Sequence, residues 1–202
     1  MKLYDAPFAP SPRRVRMFLA EKGISVPTET VDIAAGETQT PAFARINPVG
    51  ELPVLELDDG TRLTESLAIC RYFEALHPTP PLMGTSVEER ARLEALALQI
   101  MFRIYVPTTQ AFRHGHRFWE GRITQVPAYA ELARAQVLAE WQRIDGLLAD
   151  REFLGGAQFS YVDIVAYTTL DFGKPSGIRV LAEQTRLARW QAAIAARPSA
   201  KA

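Results

Sequence analysis

The sequence predicts an α/β domain over residues 1–77, a linker over 78–86 and an all-helical domain over 87–202. Three observations carry this. A strand–helix–strand pattern occupies the first 33 residues, the signature of a parallel βαβ unit with a right-handed crossover. Asp58-Asp59-Gly60 stands between two alternating apolar segments and leads into a helix, a strong hairpin signal. From Val87 onward the apolar residues recur at helical spacing with almost no strand signal.

In chain order, Lys2 to Asp5 reads as a strand, and the loop Ala6-Pro7-Phe8-Ala9-Pro10 leads to Ser11-Pro12, serine at the N-cap and proline at the first helical position. Val15, Phe18 and Leu19 mark one buried face, and Gly23 ends the helix. Thr28 to Ile33 is the second strand and Pro41 to Ile46 a short helix. The hairpin is expected over Val54–Leu57 and Thr61–Thr64. Thr64 is the expected cap of the next helix, with Glu65 in its first turn and Ile69, Tyr72, Phe73 and Leu76 facing inward. This β-α-β-α-β-β-α order is that of a thioredoxin-like domain. The proline cluster of His77 to Gly84 cannot continue a helix. Beyond it the pattern predicts a long helix from Glu88 to about Arg113, bent at Pro107, and a second from Tyr129 to Asp150 with Leu132, Val137, Leu138, Trp141, Ile144 and Leu148 inward. A third starts at the capping box Ser160–Asp163, flanked by Phe159 and Ile164, and a last one runs from Thr185 to Ala196.

Composition narrows the function classes. Lys plus Arg and Asp plus Glu both number 23, so no overall field draws the chain to nucleic acid or to a membrane surface. No apolar run approaches the ~20 residues of a membrane-spanning helix, and the opening residues lack a signal-peptide pattern; a cytoplasmic location is expected. Cys70 is the single cysteine, which leaves no intramolecular disulfide, redox pair or cysteine-based zinc site. It is expected to be a small buried hydrophobe. His114 and His116, two apart, diverge on a helix, so no metal site is expected, and they and the arginines at 113, 117 and 122 read as solvated surface.

Ser11-Pro12-Arg13-Arg14-Val15-Arg16, Asn47-Pro48-Val49-Gly50 with Leu52-Pro53, Glu65-Ser66 with Ala68-Ile69, the box Ser160–Asp163, and Trp190 followed by Arg197-Pro198-Ser199 occur in this order along the chain. On these five pieces the sequence resembles a cytosolic glutathione S-transferase of the bacterial, serine-containing type. The resemblance spans nearly the whole chain. It implies a thioredoxin-like domain that binds glutathione, an all-helical domain that supplies most of the pocket for a small hydrophobic electrophile, a homodimer, and a role in detoxification.

The residues suit that tripeptide. Ser66, at a helix start with N–H groups to spare, matches the glutamyl α-carboxylate, and the Glu65 carboxylate matches its ammonium. The N–H and C=O of Leu52, beside Pro53, can pair with the cysteinyl backbone as an added strand. A free thiol titrates near 8.5, and lowering that by about two units takes ~2.7 kcal/mol. One hydrogen bond to the anion supplies ~1.5–3 kcal/mol and a helix N-terminus ~0.3–1, so the Ser11 hydroxyl is the expected thiolate stabiliser. Tyr4, at the end of the first strand, is the rival, since some branches of the family use a tyrosine there. Glu51 stands where many relatives carry Lys or Gln to meet the glycine carboxylate; either another group such as Gln39 takes that end, or glutathione binds more weakly than usual. Phe8, Phe102, Tyr105 and Phe112 are the candidate wall of the electrophile pocket. No cysteine lies between Phe8 and Ser11, which disfavours mixed-disulfide chemistry on the protein. Two other readings stand beside conjugation: a non-catalytic protein-binding module on the same scaffold, and a glutathione-dependent peroxidase or disulfide reductase.

Overall fold

The computed structural model describes residues 1–202, which divide into two compact units, 1–82 with 198–202, and 83–197. In the first unit, β1 (Lys2–Asp5) and β2 (Thr28–Thr30) pair in parallel across the helix α1 (Pro10–Lys22), as the βαβ pattern predicts. β3 (Val54–Glu56) runs antiparallel to β1 and to β4 (Arg62–Leu63), for a sheet order β2-β1-β3-β4. The strands are shorter than expected. Val31 leaves the ladder after its N–H bonds Asp5 C=O, and Asp32 to Gly36 turn, with the Asp32 carboxylate accepting Ala35 N–H at 3.0 Å. The hairpin closes as Asp-Gly directs: Gly60 takes φ 83°, and Asp59 accepts Thr61 N–H at 2.8 Å.

One sheet face packs Tyr4, Val31 and Val54 on Phe43 of the single-turn helix α2 (Pro41–Ala44), which Thr40 caps through Phe43 N–H. On α1, Gly23 adopts the left-handed conformation, its N–H bonding Ala20 C=O and that of Ile24 bonding Leu19 C=O. Helix α3 (Ser66–Leu76) buries Ser66, Ile69, Cys70 and Phe73, whereas Leu76 is half exposed; the inward stripe is rotated toward Cys70 from the one expected. Lys22 closes this unit by pairing with Glu74 and donating to the carbonyls of His77 (2.8 Å) and Pro80 (2.5 Å). The last five residues also belong here, through Arg13 to Ala200 C=O (3.0 Å) and the bond from Ser199 to Glu21.

The second unit is helical throughout, with α4 (Val87–Ile100), α5 (Val106–Gly115), α6 (Pro127–Leu147), α7 (Tyr161–Phe172) and α8 (Thr185–Ala195). The expected bend at Pro107 takes a specific form. Residues 101–105 form a π-type turn in which Val106 N–H reaches back to Met101 C=O. Proline has no N–H to continue the ladder, so the chain widens just ahead of it, and Thr108 Oγ donates to the Ile104 carbonyl at 2.7 Å. On α6, Val137, Trp141 and Ile144 are buried, followed by Leu148, but Leu132 is 64% exposed and Ala130 and Ala133 line the inner face instead. Small residues there allow α5 and α6 to approach closely; a Cβ on Gly115 would lie 3.1 Å from that of Ala130. The capping box forms. Ser160 N–H donates to Asp163 at 2.9 Å, and the same buried carboxylate accepts Leu154 N–H and Trp190 Nε1, both at 2.8 Å. No helix is long and apolar enough to cross a membrane.

Candidate glutathione site

The two candidate hydroxyls, Ser11 and Ser66, lie at the starts of α1 and α3 in the same unit. Ser11 is not the N-cap. Ala9 holds that position with extended backbone, Pro10 takes the first helical place, and Ser11 is the second residue of the helix, half-buried. With two prolines available, the earlier one starts the helix. The loop before it is pinned by Arg16, whose guanidinium donates to the buried Asp5 carboxylate (2.5 Å) and to Pro7 C=O (2.9 Å).

Tyr4 is committed elsewhere. Its ring is buried in the cluster with Phe43 and Val54, the Lys2 ammonium sits over it at 4.4 Å, and its hydroxyl donates to Glu56 Oε2 at 3.5 Å. The Arg62 guanidinium beside Glu56 holds that carboxyl below the usual range, so it remains an acceptor.

At α3 the expected cap is displaced by one residue. Glu65, not Thr64, is the N-cap, and it is the one non-glycine residue with positive φ, at φ 66° and ψ 113°. That conformation costs ~1–3 kcal/mol. The Glu65 side chain makes no capping bond and is exposed. Its carbonyl opens the helix by accepting Ile69 N–H at 3.0 Å, and the N–H groups of Ser66, Leu67 and Ala68 meet no backbone acceptor. The Ser66 side chain is only 4% exposed and accepts a 2.7 Å bond from Arg14 Nη1. Arg14 is 1% exposed; between Arg13 and Val15 in the sequence it stands only as part of a motif, with no role assigned.

Leu52 and Pro53 are joined by a cis peptide, and Leu52 makes no backbone hydrogen bond, so its N–H and C=O form an unpaired edge ahead of β3. The preceding loop is tied by Asn47, which donates to Glu51 C=O at 2.8 Å and accepts Val49 N–H at 3.1 Å. Gly50 has φ 73°, and a Cβ there would lie 3.2 Å from Gln39 Nε2. Gln39 is thus brought against the segment that carries the exposed Glu51 side chain.

The candidate pocket aromatics differ among themselves. Phe8 is 99% exposed and Phe102 69%, whereas Tyr105 is half-buried. Phe112 belongs to an aromatic cluster, stacked on His116 at 4.7 Å and edge-on to Phe172 at 5.1 Å. The two histidines are not solvated surface: His114 Nδ1 accepts Val126 N–H and His116 Nδ1 accepts Phe118 N–H, both at 3.2 Å. The arginines at 113, 117 and 122 are exposed as expected, with Arg113 lying over Trp119 and Arg122 over Phe118. No group of three or more His, Cys, Asp or Glu side chains gathers as metal ligands would. Cys70 is buried, and burial pushes its thiol up to about 12, which removes it from nucleophilic chemistry.

Comparison with known proteins gives the family. Residues 8–76 match the model of the glutathione S-transferase N-terminal domain and residues 93–198 that of the C-terminal domain. Glutathione S-transferase 2 of Saccharomyces cerevisiae is 32% identical over 205 residues, spanning 100% of this chain and 88% of the yeast protein. Among solved structures, Gtt2 from Saccharomyces cerevisiae superposes with a TM-score of 0.94 at 32% identity, over 100% of this chain and 99% of that one. A glutathione S-transferase domain-containing protein from Marinobacter aquaeolei VT8 gives 0.93 at 33% identity, over 98% and 99% of the two chains. With both halves matched and a full-length relative above 30% identity, the chain belongs to the glutathione S-transferase family.

Proposed function

We propose that the protein is a glutathione transferase that holds the glutathione thiol as its thiolate beside the Ser11 hydroxyl and directs it at small hydrophobic electrophiles. The observation that carries this is the open start of α3, where a strained, uncapped Glu65 precedes a buried Ser66 backed by Arg14. An anion is what such a start lacks. The glutamyl α-carboxylate of glutathione supplies it, and the exposed Glu65 carboxylate meets the neighbouring ammonium. The unpaired edge of Leu52 receives the cysteinyl backbone, and Gln39 takes the glycine carboxylate, which Glu51 would repel.

In this reading Ser11 donates its O–H to the sulfur. The thiol proton leaves to water, so no general base is needed. The thiolate then forms a carbon–sulfur bond as the leaving group departs with the electron pair. Tyr4 is the lesser candidate, because its ring is packed in the core and its hydroxyl is spent on Glu56. The aromatic side chains we assign to contact with the electrophile are Phe102, Tyr105 and Phe112 of the helical unit. Detoxification in the cytoplasm, by a homodimer, is the setting we assign to it. Conjugation is favoured over disulfide exchange because the Phe8 to Ser11 loop has no cysteine.

The test is retention on immobilised glutathione followed by turnover of 1-chloro-2,4-dinitrobenzene. Retention with turnover is expected. Retention without turnover would leave a glutathione-binding module, and loss of both would remove the assignment.

A further inference from the structure

Arg14 is a fully buried cation on α1 whose guanidinium reaches the mouth of α3, Nη1 donating to Ser66 Oγ at 2.7 Å. A guanidinium has no acceptor, so it donates and the serine oxygen accepts. A hydroxyl that accepts must turn its own hydrogen away from that donor, and no acceptor within the chain takes the Ser66 proton. The Ser66 side chain is more than nine-tenths buried, so water competes poorly for that proton. The outcome is a serine fixed as a donor, at a helix start whose first N–H groups are also donors, with a positive charge one bond behind it.

We infer that Arg14 is a positioning residue that sets the preference of this site for the α-carboxylate of the glutamyl end: it orients and polarises the Ser66 hydroxyl as a hydrogen-bond donor without touching the ligand. This rests on the function proposed above. A guanidinium suits the task better than an ammonium, because its planar fork fixes the direction of the bond while Lys acts as a point charge on a flexible stem.

The test compares glutathione with its analogue in which 4-aminobutyrate replaces the glutamyl residue, leaving the amine and removing the α-carboxylate. In the wild-type protein the analogue is expected to bind about tenfold or more weakly, the loss of one charge-assisted contact set. Arg14→Met is expected to raise the KM for glutathione about tenfold, with kcat moving much less, and to leave analogue binding within about twofold, so that the preference collapses. Arg14→Lys should restore part of it. A merely structural role would instead weaken both ligands alike, and that result overturns the inference. If Arg14 substitutions impair folding, Ser66→Ala with Arg14 intact serves: it is expected to erase the preference, and a preference that survives it overturns the inference. Failure of the wild type to bind glutathione at all would sink the proposed function. Binding of glutathione and the analogue with equal affinity would sink only the role of Arg14.

Discussion

Two helices in this chain begin in opposite ways. At α7 the Ser160–Asp163 box is closed, because the buried carboxylate takes four bonds, from Ser160 N–H, Ser160 Oγ, Leu154 N–H and Trp190 Nε1. Burial pushes the Asp163 carboxyl up, and those four donors oppose the shift. At α3 the start is open: the cap is a non-glycine residue at positive φ, its side chain makes no capping bond, and the buried Ser66 hydroxyl accepts from Arg14. The contrast separates a helix end built for stability from one that spends stability on being ready for an anion.

The contrast breaks most visibly at α7. Asp163→Ala leaves several buried donors without an acceptor, each worth ~1–3 kcal/mol, so a loss of at least about 3 kcal/mol is expected. The urea midpoint of unfolding measures it, and a loss under about 1 kcal/mol would mean that the box is not a stabilising element.

Cys70, one turn into α3, gives the next effect. Its folded pKa of about 12 lies above the ordinary 9.0, so between those values the folded state binds more protons than the unfolded one, and its contribution to stability is lost as pH rises through that window. The wild type should lose more stability than Cys70→Ala between about pH 9 and 12, as urea titrations at stepped pH would show. Parallel curves for the two proteins would contradict a buried neutral thiol. In the same spirit, Ellman's reagent should label Cys70 only on unfolding.

Glu65→Gly is the smallest change to stability and the most informative about α3. Glycine relieves the strain of positive φ, ~1–2 kcal/mol, but adds chain entropy of ~0.5–1 kcal/mol to the unfolded state, so stability should be level or slightly higher. Glutathione affinity should fall about tenfold with the lost carboxylate. Calorimetric melting and glutathione titration together decide it. A variant that is both less stable and equally able to bind would show that α3 is an ordinary helix start.

What could be read from the sequence follows the range of the forces involved. The βαβ unit, the Asp-Gly hairpin, the Gly23 stop and the Ser160–Asp163 box depend on neighbours a few residues apart, and each stands where the pattern placed it. The cap of α3 does not, since Thr64 is the better cap by propensity and the displacement to Glu65 accompanies the docking of Ser66 on a side chain from another helix. Arg14 was hidden for the same reason: burial of an arginine is set by its distant partner, 52 positions along the chain. Pro107 announced a distortion but not its form, which only the backbone from Met101 to Val106 reveals. Of the candidate site residues, Tyr4, Leu52, Gln39 and Ser66 acquire specific surroundings in the fold, while Glu51 and Phe8 remain exposed side chains.

The central claim is that the Ser11 hydroxyl holds the sulfur as its anion. It is tested most directly by following thiolate absorbance of the glutathione complex against pH in the wild type, Ser11→Ala and Tyr4→Phe. The expected result is a bound thiol about two units below the free value near 8.5 in the wild type and in Tyr4→Phe. In Ser11→Ala it should return toward the free value, with turnover cut at least about tenfold. A thiol that stays acidic in Ser11→Ala but not in Tyr4→Phe would contradict the claim and move the role to Tyr4.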